Sequence, residues 1–251
     1  MMFSMTYRLC SAAFLLSASF FVRQVYASEN QCVVCHQKVS GKETSGPVHT
    51  FAEWQKSVHA KSGVACDACH GGDPAAKDKT RAHALVARST MVGSRIYFDK
   101  IPETCGACHA KEFSGFKSSA HYKALQNSGR GPNCVTCHGS MAARVMTPRD
   151  METLCSVCHR HPTQAYAALL ALQNSRKSLD QLDQRIAHAK KENIDVAGQA
   201  EEFKKVQESY KEALQLWHTF DMGKVLAQAQ NNNHRVRTAL HELDLKQKIR
   251  K

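Results

Sequence analysis

Apolar positions along this chain fall into three regimes. Arg8 precedes an apolar run from Leu9 to Val22, which gives way to Val25-Tyr26-Ala27. A run shorter than the ~20 residues of a membrane span, ending in small residues, reads as a secretory signal peptide over residues 1–27. An uncleaved signal anchor is the competing reading. From Ser28 to Pro162 the chain is rich in Gly, Lys, Ser and Ala and has no long periodic apolar run. Two short stretches there have helical spacing. Phe51, Trp54 and Val58 lead to His59, and Phe113, Phe116 and Ala120 lead to His121. Both histidines are expected at the ends of these amphipathic helices, in matching Ser-x-His contexts.

The third regime begins at Thr163. Ala165, Leu172, Leu179 and Ile186 recur every seven residues up to Lys191, with Ala168, Leu182 and Ala189 beside them. Residues 193–198 break the pattern. Phe203, Val206, Tyr210, Ala213, Trp217 and Phe220 then alternate by three and four. Two such seams across a short break predict an antiparallel helical hairpin. Asn231-Asn232-Asn233 is expected to interrupt the chain, leaving His234 to Ile249 as a third, basic helix. The expected fold class is mainly α with little regular sheet. It comprises a region over 28–162 that lacks an apolar core of its own and a helical region over 163–251.

The cysteines account for the missing core. Five Cys-x-x-Cys-His motifs use ten of the eleven: Cys32/Cys35/His36, Cys66/Cys69/His70, Cys105/Cys108/His109, Cys134/Cys137/His138 and Cys155/Cys158/His159. This is the attachment signature of c-type haem. Two thiols at that spacing form thioethers to the two vinyl groups, and the adjacent His ligates the iron. Zinc sites do not need a His after every second Cys, and redox-active Cys-x-x-Cys motifs do not recur five times. Five covalent haems would supply the apolar surface that residues 28–162 lack. Intervals of some 20 to 40 residues between motifs would force the rings close together, as electron tunnelling requires.

Nine of the fourteen histidines lie outside the motifs, more than enough for a second ligand on every iron. His59 and His121 lead the candidates. His83 lies in the second inter-motif interval, and His49 follows Pro47 two positions on. His218 comes one residue after the seam residue Trp217, so it points ~100° away around the helix, on a flank shared with Leu214 and Val225. That flank suggests docking against a haem. His188 reads as solvated, and His161, His234 and His241 are unassigned. Met91, Met141 and Met146 are alternative ligands.

The formal charge of +12 falls to +10 without Arg8 and Arg23. Haem propionates would lower it further, to about +5 oxidised and about 0 reduced, so the basic residues serve as propionate partners rather than as a nucleic-acid surface.

Trp54-Gln-Lys-Ser-Val-His59-Ala with Gly63-Val-Ala-Cys66 to Pro74, and Ser119-Ala-His121-Tyr122 with Gly131-Pro-Asn-Cys134 to Gly139, resemble a group of multihaem c-type cytochromes. That group contains pentahaem nitrite reductase, hydroxylamine oxidoreductase and the tetrahaem cytochromes that accept its electrons. The resemblance implies distal ligation by His59 and His121, with haems stacked in alternating parallel and perpendicular pairs. The Cys-x-x-Cys-Lys motif of the nitrite reductases is absent, and nothing places Tyr166 or Tyr210 against a haem.

The expectation is therefore an exported, periplasmic pentahaem cytochrome. It would pass electrons along closely packed bis-His haems between redox partner proteins, with a membrane quinol-oxidising complex as one candidate partner. Oligomerisation could use the C-terminal helices. The alternative is a multihaem reductase or oxidase of a small nitrogen or sulfur oxyanion, with one open-site haem.

Overall fold

The computed structural model describes residues 30–39 and 50–249. The signal-peptide segment and His49 lie outside the described residues. Among the described residues the regular structure is helical, with no strand, and no helix is long and apolar enough to cross a membrane.

Among the described residues ten short α-helices precede the C-terminal bundle. They are α1 (Gln31–Val39), α2 (Phe51–Lys56), α3 (Val58–Lys61), α4 (Cys66–His70), α5 (Lys79–Ala82), α6 (Ile101–Gly106), α7 (Ala110–Ser118), α8 (Ala120–Ser128), α9 (Cys134–His138) and α10 (Pro148–Leu154). The two stretches expected as single helices are each split by a serine. Ser57 ends α2 and caps α3, accepting from the Ala60 N–H; Ser119 ends α7 and caps α8, accepting from the Tyr122 N–H. Both serines are extended (ψ 161° and 157°) and buried. A short hydroxyl that satisfies an orphan N–H makes a new helix start cheaper than continuing the old one. His59 and His121 therefore sit in the first turn of a helix, not at the end of one.

Three long helices follow: α11 (Thr163–Lys191), α12 (Ala197–Trp217) and α13 (Met222–Ile249). The expected hairpin is thus part of a three-helix bundle. The third helix starts twelve residues earlier than expected and runs unbroken through Asn231-Asn232-Asn233. Its buried line, Met222, Val225, Ala229, Asn232, Val236, Ala239 and Leu243, keeps the three-four alternation with Asn232 in a core position. Tertiary packing overrides the poor helix propensity of asparagine, and the Asn233 amide donates to the Ala171 carbonyl on α11 at 3.3 Å. Val225 belongs to this helix and lies in the core, so it shares no flank with His218.

Cross-links fix the helix directions. Partners on α11 and α13 differ by a near-constant 54 to 62 positions: Ser175 with Ala229, Arg185 with Asp244 and Gln247, and Asn233 with Ala171. These two helices run parallel, with α12 antiparallel between them through Arg235–Glu202 and Gln199–Glu242. The three apolar clusters of the described residues centre on this bundle; only Met146 and Met151 from the preceding region are buried members. Each fully buried Leu or Val there contributes about 1.5–3 kcal/mol.

Candidate functional site

Every motif begins on or beside a short helix that places its histidine. Motif 2 is α4 and motif 4 is α9, each closed by a glycine of positive φ (Gly71 76°, Gly139 80°). Asn133 caps α9 reciprocally with Thr136. The motifs follow one another in space in chain order. Cys32 neighbours Cys66, Cys69 neighbours Cys105, the Cys105 and Cys134 thiols share a hydrogen bond, and Cys137 neighbours Cys155. The nearest pairs thus alternate. First cysteines are neighbours between motifs 1 and 2 and between 3 and 4, whereas second neighbours first between 2 and 3 and between 4 and 5.

Four motif histidines face a histidine from elsewhere. Ring centroids are 6.1 Å apart for His36 and His83, 6.0 Å for His59 and His109, 5.8 Å for His121 and His159, and 6.3 Å for His138 and His218. A first-row metal bonds imidazole nitrogen at ~2.0 Å, and the ring centre lies about 1 Å beyond, so two imidazoles across one ion stand roughly 6 Å apart. All four gaps match that span. His59 and His121 do not face the motif that follows them but the one after it. His70 completes the motif set, and His49 lies outside the described residues.

Local hydrogen bonds orient several of these rings. His83 Nδ1 meets the Lys79 carbonyl at 2.8 Å, His138 Nδ1 the Arg144 carbonyl at 2.8 Å, and His218 Nδ1 the Leu214 carbonyl at 3.1 Å. With Nδ1 donating, Nε2 is the nitrogen available to a metal. Burial, then the facing His109, holds His59 below the ordinary imidazole range. Burial, then His159, does the same for His121, and burial dominates at His218. Neutral imidazole is the ligating form.

Two glycines permit close approaches that sequence reasoning missed. Gly72, at φ 95°, would place a Cβ 2.5 Å from the Ala82 carbonyl. This approach, with the Asp73 N–H on that carbonyl and the Asp73–Arg81 pair at 3.0 Å, secures α5 and hence His83. Gly115 would meet Gln215 O at 3.1 Å and His218 Cβ at 3.4 Å, so α7 lies against the end of α12 that carries His218.

The surroundings fit a large apolar group. Leu85 (82% exposed) lies two residues after His83 and Val157 (80%) lies inside motif 5. Cys35, Cys69, Cys108 and Cys158 are exposed. Among the described residues no three His, Cys, Asp or Glu side chains converge as a metal site. Burial pushes the Cys66 and Cys137 thiols up to about 11. Met146, one of the alternative ligands, is buried against Met151 and Leu169. His161, His188, His234 and His241 are exposed, and His188 lies 3.6 Å from Glu192.

A family model described as cytochrome c554 and c-prime matches residues 15–71. The match takes in motifs 1 and 2 and His59, and it supports a c-type cytochrome, with covalently bound haem and a part in electron transfer. No curated protein and no solved structure matches the chain.

Proposed function

We propose that this protein is an exported pentahaem cytochrome that relays electrons between redox partner proteins. Four histidine pairs, each separated by the span of one ligated iron, are the observation that carries this reading. In it, His83, His59, His218 and His121 are the distal ligands of motifs 1, 3, 4 and 5. The remaining candidate, His49, lies outside the described residues and is the ligand proposed for the remaining motif at His70. When bound, the haems supply outer-sphere electron exchange between low-spin irons. Burial holds His59, His121 and His218 below the ordinary imidazole range, and backbone carbonyls orient His83, His138 and His218, so ligation need not change on reduction. The alternating cysteine contacts along the row suit two kinds of ring overlap in succession. A donor and an acceptor would dock near the ends of the row, with a membrane quinol-oxidising complex as one candidate donor.

Mass spectrometry of the mature chain should show five added haems and a start at Ser28. Low-temperature EPR of the ferric protein should show low-spin signals alone; a high-spin haem with anion-dependent turnover would instead make it a reductase or oxidase. His49→Met should change one low-spin signal and raise one midpoint potential, as methionine ligation does. If that variant leaves every signal unchanged, the His49 assignment fails.

A further inference from the structure

The turn between α12 and α13, residues 218–221, touches two neighbouring sites at once. His218 faces His138 of motif 4. Two residues on, the Phe220 ring meets the ring of His121, the partner of motif 5, edge to face, with centroids 4.2 Å apart and planes at 85°. Phe220 reaches that position with φ 60°, a conformation in which a bulky side chain is a genuine outlier. The Phe116 ring lies 6.3 Å from that of Phe220 between centroids.

The result is a difference in hydrogen bonding between adjacent sites. At motif 4 both imidazoles donate Nδ1–H to backbone carbonyls, of Arg144 and Leu214. At motif 5 the Nδ1 of His121 is buried and has no hydrogen-bond partner among the described residues. The Phe220 ring packs against this imidazole, and no carbonyl among the described residues reaches its Nδ1. A carbonyl acceptor makes imidazole a stronger donor and stabilises ferric iron; an imidazole N–H without an acceptor does this far less. Resting on the ligand assignment above, we propose that Phe220 is a positioning residue that sets a downhill electron step from the motif 4 haem to the motif 5 haem. It does so by denying His121 the acceptor that His138 and His218 both have.

The test is a potentiometric titration of the full holoprotein, followed by EPR and visible absorbance. His121→Met and His218→Met each mark the signal of their own haem. In the parent protein the haem marked through His121 should have the higher midpoint, and a higher midpoint at the haem marked through His218 would overturn the proposal. Phe220→Asn introduces an acceptor on a residue that tolerates positive φ. It should make reduction of the motif 5 haem about tenfold less favourable, ~59 mV lower, with its low-spin spectrum kept. Phe220→Leu, apolar and without an acceptor, should leave that midpoint in place. A Phe220→Asn protein with unchanged midpoints and intact low-spin signals would also overturn it. If His121→Met changes no signal, the ligation reading itself is wrong, a result distinct from either of these.

Discussion

Single residues set both the stability and the ligand geometry of this chain. Arg235 on α13 holds the Glu202 carboxyl on α12 below the usual carboxylate range, through a contact of 2.6 Å between partly exposed side chains. A depressed carboxyl contributes stability that is complete above the unfolded value near ~4.3 and is lost as pH falls through the folded value. Glu202→Gln should therefore weaken the bundle by about 0.2–1 kcal/mol at neutral pH. Its urea midpoint should also fall less steeply than the parent's on acidification, and an unchanged acid slope would remove Glu202 from the account. Under the proposed ligation, the motif residues are legible in the chain because thioether attachment requires fixed spacing, whereas His59, His83, His121 and His218 have no fixed spacing and are legible only as candidates. Phe220 is not legible. It continues the three-four seam of α12 and looks like a core residue, yet the helix ends at Trp217 and leaves it in the turn. The only hint in the sequence is its position two residues after His218 and immediately before Asp221, whose carboxylate accepts from the Lys224 N–H at the start of α13.

At the scale of elements, the long helices were legible because their apolar period is regular. The bounds of α11 follow the heptads closely, and Ser175 fills the one gap in its seam by donating to the Ala229 carbonyl at 3.0 Å. The unbroken α13 was not legible. Three consecutive asparagines carry a local signal for a turn, and only the partners on α11 reverse it. Asn232 nonetheless has a cost, because its side chain is fully buried with both amide atoms unpaired among the described residues. Asn232→Val should raise the stability of the helical region by about 1 kcal/mol in urea unfolding followed by circular dichroism. Leu182→Ala, in the middle of the main cluster, should lower it by about 2–5 kcal/mol. A destabilised Asn232→Val protein would mean that this amide specifies the register of the bundle, as polar core residues do in coiled coils.

Across the whole molecule, the two halves are held together by different means. The bundle buries its own side chains, whereas the described residues from 30 to 145 contribute no buried residue to any of the three apolar clusters. A chain with alanine at all ten motif cysteines should lose residues 30–162 to limited proteolysis and keep 163–249 as a resistant helical fragment; uniform resistance would show that the first half folds without its cofactors. The bundle also reaches back through His218 to motif 4, and this bears on the order in which the molecule is made. A polypeptide grows from its amino end, so the partners of motifs 3 and 5, His59 and His121, already exist when those motifs appear. Motif 1 waits only for His83. Under the proposed ligation motif 4 alone would wait until all of α12 and His218 have been synthesised, so the last centre to mature would lie inside the row rather than at its tip. A polypeptide stopped after Pro162 should accordingly carry one five-coordinate iron flanked by finished neighbours, a gap in the middle of the wire that magnetic circular dichroism would register.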